Sequence, residues 1–514
     1  MAGRKDREPH RDPAGVVPGP PFADASHLGP RRAWAVWVAI TLAASAAAYV
    51  GYSQTRRVGD VASLPPLPDL SQQSPALRAH LSEADRAARA QPTSADAVAA
   101  LCLAYHADMF YDQAQRCYLV AEAVGGASWR WTYYRALAQG EGGDAEGMVA
   151  GLRRVTTAAP DFGPAWWRLG DAEFKAGRYD RAAEAWRRVV PLTDTAPRAT
   201  AGVGSPARVP VAPMSAYATL GLARLALVRG DADRARELLE GLTTSAPRFG
   251  PAFRLLGDAY AALKRPDDAA RVTRIADRSA AFDPYVDPTM DALVRESRSA
   301  TFLLQQAAST DVSSNAAWRE HLIRRALEFD PGNTDALYEL ATLLRVVQRY
   351  DEALEQLGRY RSLVPDDLQV LADIGRCLSG LGRFQEAEGV LRRALEDLDD
   401  ANTRYDLALV LDRSGRLREA VDEYRRALDR NPNHGNALNN LGVALVRQGR
   451  LDEAALQFER LVAADPDNAD AHTNLGVVAL TQGARERAAR EFRTALSLRP
   501  DHALALEGLR KLDP

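Results

Sequence analysis

The sequence predicts an all-α solenoid of stacked helical hairpins, and three observations carry that expectation. Pro331, Pro365, Pro432, Pro466 and Pro500 each follow a helical-looking run; with Asp399 filling the gap, their steps are 34, 34, 33, 34 and 34 residues. A fixed period in this range belongs to a stack whose units bury their cores only against one another. Within the unit opening at Gly435, Leu438, Leu441 and Leu445 make one stripe at helical spacing, and Leu456, Phe458 and Leu461 line a second segment. Gly449 stops the first helix and Pro466 closes the second, so each unit reads as a hairpin with a short turn.

The third observation is positional. Counting the first residue of each unit as position 1, position 8 is small (Ala341, Gly375, Ala408, Gly442, Gly476), and position 20 is alanine (Ala353, Ala387, Ala420, Ala454, Ala488). Small residues on facing helices let the backbones approach closely. Position 24 is bulky (Leu357, Leu391, Tyr424, Phe458, Phe492) and is expected to fill the gap between neighbouring units. The length, the small pair, the bulky position 24 and the closing proline together resemble the tetratricopeptide repeat family. That resemblance implies a right-handed superhelix whose concave face takes a protein partner. Upstream, the spacing is matched by Leu101, Cys102, Tyr105, Ala114 and Tyr118, by Trp166, Leu169, Gly170, Ala182 and Trp186, and by Phe253, Leu256, Gly257, Tyr260 and Ala269. Weaker units begin near Trp129 and Ala216, and Thr301 to Pro331 reads as one more with a distorted first helix. The resemblance covers roughly residues 76 to 510, in about ten or eleven units.

The chain then divides in order. Residues 1–32 are a polar, proline-rich tail that cannot bury enough apolar surface to fold. Residues 33–54 carry no charge over a run of 22, bounded by Arg31, Arg32, Arg56 and Arg57, which is long enough to span about 30 Å of hydrocarbon. Trp34 and Trp37 near one end, and Tyr49 and Tyr52 near the other, suit the two interfaces. This is expected to be a single-pass membrane anchor; a signal peptide cleaved near Ala46–Ala48 is the alternative. The basic tail tips the orientation towards repeats outside the cytoplasm. Residues 55–75 are a proline-rich spacer, 76–190 are N-terminal repeats and 191–213 an irregular Pro/Gly loop. Residues 214–281 are further repeats, 282–332 an atypical joining unit containing a long helix, 333–502 five regular units and 503–514 a C-terminal capping helix.

Composition excludes several classes. A net charge of −3 gives no case for nucleic acid, and no basic stripe with interleaved aromatics is present. Only four of the 65 basic residues are lysine, usage that suggests a GC-rich bacterial genome. The dipeptide Gly-Lys does not occur, nor do G-x-S-x-G or H-E-x-x-H. No catalytic residue, metal ligand set or cofactor is expected, and the chain is not expected to be an enzyme. The three cysteines include no C-x-x-C pair. Cys102 and Cys117 fall at positions 8 and 23 of one hairpin: they are two small residues in a tight crossing or, in an oxidising compartment, a disulfide.

The expected function is a membrane-anchored scaffold of the bacterial envelope that binds a partner's peptide or helix. The alternatives are a chaperone-like assembly factor for envelope or cytochrome biogenesis, and a non-catalytic partner of a separate enzyme. The resemblance implies that position 6 faces the concave groove, where Glu339, Asp373, Asp406, Asn440 and Asn474 stand. With Asn439 and the apolar Val443, Val446, Val477 and Leu480, these make the candidate peptide-binding strip. The amides are suited to pair with a ligand backbone, and the acidic rungs to favour basic residues at one end.

Overall fold

The computed structural model describes residues 63–126, 128–192, 212–278, 285, 287–310 and 312–512. The tail, the anchor expected at residues 33–54, residues 55–62 of the spacer and most of the 191–213 loop lie outside the described residues. Among those described, no helix is long and apolar enough to cross a membrane.

From Leu64 onward the described chain is one unit built of α-helices, with no strand among the described residues. Eleven antiparallel hairpins follow an opening helix, Pro75–Ala90, and the last is covered by Ala503–Leu512. Each helix packs in bulk on the next, as nearest-neighbour stacking requires, except at the joining segment, where Pro288–Glu296 packs on Ala95–Ala107 rather than on its neighbours in sequence. First helices open on side-chain caps that satisfy their free N–H groups: Ser94, Asn333, Asp400, His434 and Asn468 each accept from a backbone N–H of the first turn. Their hairpin turns share a left-handed residue at position 15. It is glycine at Gly143, Gly177, Gly230, Gly382, Gly415, Gly449 and Gly483, and a side-chain-bearing residue at Met109, Lys264 and Gln348.

Packing explains the small and bulky positions. A Cβ added at Gly442 would lie 2.6 Å from the ring of Phe458, and one at Gly476 2.6 Å from that of Phe492. Position 8 is therefore small because it is the seat of its own unit's position 24. The same bulky side chain also meets the next unit: Phe492 lies against Gly508 and Trp186 against Gly221. One continuous core then runs from Ala372 to Val478. Leu456, expected on the inner stripe, is 53% exposed; Ala454, Phe458 and Leu461 supply the buried face instead, because a helical stripe at 454, 458 and 461 turns position 456 outward.

Two further differences matter. Cys102 and Cys117 are joined by a disulfide across one hairpin, with Cα atoms 5.2 Å apart. Where the joining unit was expected to run on as one long helix after Asp287, it forms two nine-residue helices, Pro288–Glu296 and Ala300–Ala308, that part at Ser297–Ser299. Ser299 accepts from the Phe302 N–H and so starts a new helix where a continuous one was expected.

Candidate functional site

The first helices of the hairpins line the inner face, and the two halves of the chain use it differently. In the N-terminal half the face is covered by the chain's own residues 285–299. Asp287, 2% exposed, is the anchor. Its Oδ2 accepts from the Tyr133 hydroxyl at 2.7 Å and from Arg168 Nη2 at 3.1 Å, while its Oδ1 caps the helix through the Thr289 N–H at 3.0 Å. Burial, then the Asp287 charge, raises the Tyr133 phenol well above its usual range and keeps it a donor. Tyr133 and Arg168 are positions 5 and 6 of consecutive units, the inward positions of their helices.

The rest of the segment follows the same face. The Tyr134 hydroxyl donates to the Thr289 carbonyl at 3.3 Å, Met290 leans on the Tyr133–Leu152 core, and the Tyr285 ring meets Trp167 and Tyr217. Asp108 then takes the Arg298 N–H at 2.8 Å; burial pushes its carboxyl up to about 6. From the other side Arg325, in the helix Val312–Phe329, donates to the carbonyls of Val294 at 2.7 Å and Ser297 at 2.9 Å. A cation on the last carbonyls of a helix satisfies groups that its end leaves open. The joining segment is thus held between both halves.

In the five regular units no described helix of the N-terminal half packs in bulk on this face, although Arg274 of the helix Pro266–Arg278 reaches Asp467 at 2.9 Å. The structure places the expected groove residues in two groups. Glu339 pairs with Arg319 at 3.0 Å. Asp373, 4% exposed, accepts from the Tyr338 hydroxyl at 2.8 Å and from Arg376 Nη2 at 2.5 Å. Asp406, 8% exposed, accepts from Arg376 Nη1 at 2.7 Å, and burial pushes its carboxyl up to about 6. These rungs are already engaged by arginines, so they offer little free negative charge to a basic ligand. The second group is an amide relay: Asn474 donates to Asn439 at 2.9 Å, Asn439 to Asn440 at 3.2 Å, and Asn440 to the Tyr405 hydroxyl at 3.1 Å. Val443 is exposed; Val446 is partly buried on the central core, and Val477 and Leu480 lean on the core of the terminal cap.

Sequence reasoning missed Arg345, Arg376, Arg413 and the position 5 tyrosines Tyr338 and Tyr405. Their signal was present, as arginines at positions 9, 12 and 13 of the units that carry the acidic rungs. Among the described residues no group of three His, Cys, Asp or Glu side chains is placed to hold a metal ion.

A family model for the tetratricopeptide repeat matches residues 134–197, 213–284, 405–469 and 445–503. Two more models of that description match residues 347–410 and 322–355, and together the three span more than half of the chain. Anaphase-promoting complex subunit 3 of Dictyostelium discoideum is 33% identical over 89 residues, which are 17% of this chain and 9% of that protein. Among solved structures, YrrB, described as a TPR protein with an unusual peptide-binding site, is 27% identical; the match covers 37% of this chain and 97% of YrrB, with a TM-score of 0.31. Yeast Tom70 is 12% identical over 85% of this chain and 95% of its own, with a TM-score of 0.36. Repeat proteins of this type are generally non-catalytic. The chain belongs to the tetratricopeptide repeat family, and its stacked hairpins make it a protein-interaction scaffold.

Proposed function

We propose that this scaffold is anchored in the cell membrane by residues 33–54, stands outside the cytoplasm, and holds an extended peptide or helix of a protein partner in the groove of its five regular units. The observation that carries the reading is the N-terminal groove, where the same inward positions hold a segment of the chain itself through Asp287. The repeated surface therefore has the chemistry to grip a chain segment. In the regular units the amide relay supports such a role, since Asn side chains offer both donor and acceptor to a ligand backbone. Once the partner is identified, Asn440→Ala with Asn474→Ala is expected to weaken binding by about 1–3 kcal/mol, the scale of hydrogen bonds whose loss leaves partners unpaired. Unchanged affinity by calorimetry would remove these amides from the site.

The location rests on two features: the uncharged run flanked by arginines, and the Cys102–Cys117 disulfide, which persists in oxidising compartments. The protein is expected to stay with membranes in alkaline carbonate. Its repeats should be degraded by protease added to spheroplasts, and in the denatured chain Cys102 and Cys117, both buried in the fold, should react with maleimide only after reduction. Protection of the repeats from that protease would reverse the orientation.

A further inference from the structure

The joining segment also decides where the second run of hairpins begins. The first run ends at the helix Pro266–Arg278, yet no described helix of the second run packs in bulk on it. The helix Pro288–Glu296 instead returns to Ala95–Ala107, and Val312–Phe329 reaches the opening helix Pro75–Ala90. The second run therefore starts from the opposite end of the first. Further along, the two runs meet again: Arg274, close to the end of the first, donates from Nη1 to Asp467 Oδ2 at 2.9 Å, across 193 residues of sequence. We propose that Arg274 and Asp467 form a salt-sensitive clasp, which closes the two runs on each other and opens as they swing about the junction at Asp108 and Arg325. This goes beyond the groove reading and holds whatever the groove binds.

The two meeting points differ in strength. At the junction the contacts are buried and cross-linked. Asp108, 5% exposed, accepts the Arg298 N–H at 2.8 Å, and Arg325 donates to the carbonyls of Val294 and Ser297. Leu293, Val294 and Ser297 are themselves buried there. At the other meeting point, no helix of residues 214–278 packs in bulk on any helix of residues 435–512. What bridges the gap is one ion pair, whose side chains are 39% and 35% exposed.

An ion pair so open to water contributes little and is weakened by salt. Its neighbours do not compete for it, since Asp268 takes Arg265 and Arg271, while Asp470 takes Arg499 and His502. Among the described residues, Arg274 and Asp467 are thus each other's only charged partners. A buried, many-bonded contact at one place and a single exposed pair at the other make a hinge and a catch.

The test is a distance measurement by pulsed electron paramagnetic resonance, with spin labels at Ala270→Cys and Ala464→Cys in the full-length chain. Both sites are exposed, while Cys102 and Cys117 are joined and Cys377 is buried, so the two new cysteines alone take label. With Arg274 and Asp467 both present, the expected result at low salt is one narrow distribution. It should broaden and move to longer distance at about 1 M salt, where the Debye length falls to about 3 Å. Arg274→Gln should do the same at low salt. Exchanging the charges, Arg274→Asp with Asp467→Arg, should restore the narrow distribution. Helical circular dichroism should stay constant throughout, which separates opening from unfolding, and the salt arm needs no change at the clasp itself. A broad distribution at low salt with the native pair would overturn the clasp. So would a distribution unmoved by salt or by Arg274→Gln, or an exchange that restores nothing.

Discussion

Arg168→Ala is expected to cost about 3 kcal/mol and to loosen residues 285–299 before any repeat unfolds. The reasoning starts at Asp287, whose side chain is 1% exposed and whose Oδ2 receives both Arg168 and the Tyr133 hydroxyl. Removing one partner of a buried pair leaves a desolvated charge with no counter-charge, which costs about 3–5 kcal/mol in comparable cases. The low end applies here because Arg168 is itself 23% exposed, and Asp287 keeps its bonds from Tyr133 and Thr289. Tyr133→Phe removes one hydroxyl only and should cost about 1 kcal/mol. Hydrogen exchange resolves the two: amides of residues 289–299 should lose protection in Arg168→Ala, while those of 435–464 keep theirs. Uniform protection across the chain would mean that Asp287 does not hold the segment.

The repeats were legible because their determinants are local. Position 8, position 20 and position 24 recur within one hairpin, and the Gly442–Phe458 contact joins residues of a single unit. The joining segment was not legible, for its anchor pairs residues 119 apart, Arg168 with Asp287, and no periodicity announces such a pair. Its expected long helix failed for a local reason, since Ser297 and Ser299 turn their side chains to backbone and neighbouring groups and end one helix before the next begins. In the groove, residue type and register pointed to the position 6 rungs, but their electrostatic meaning depended on Arg376. Arginine on a helix face is ordinarily solvated, so its bridging of Asp373 and Asp406 needed the neighbouring unit in place. The cysteines were ambiguous for a related reason. Spacing placed them on facing helices, and only the crossing distance distinguishes a bond from two small packed residues.

The seat of position 24 gives the second large effect. Phe458 is fully buried, and its ring lies where a Cβ on Gly442 would come within 2.6 Å. Phe458→Ala removes that ring from the continuous core and should destabilise its unit by about 3–5 kcal/mol, from lost transfer free energy and the cavity left behind. Gly442→Ala in the wild-type background should also cost about 1–3 kcal/mol by overpacking, which exceeds the gain in helix propensity. In the double variant the new methyl group enters the space that the ring vacated, so the two costs should not add; the combination should be more stable than their sum by at least about 0.5 kcal/mol. Because each unit touches only its neighbours, hydrogen exchange should show the loss in residues 401–498 and leave 95–158 unchanged. Denaturant midpoints of the two single variants and the double variant measure the coupling. Strict additivity would place the Phe458 ring away from Gly442, and a loss spread evenly over all eleven hairpins would mean that the stack unfolds as one body rather than unit by unit.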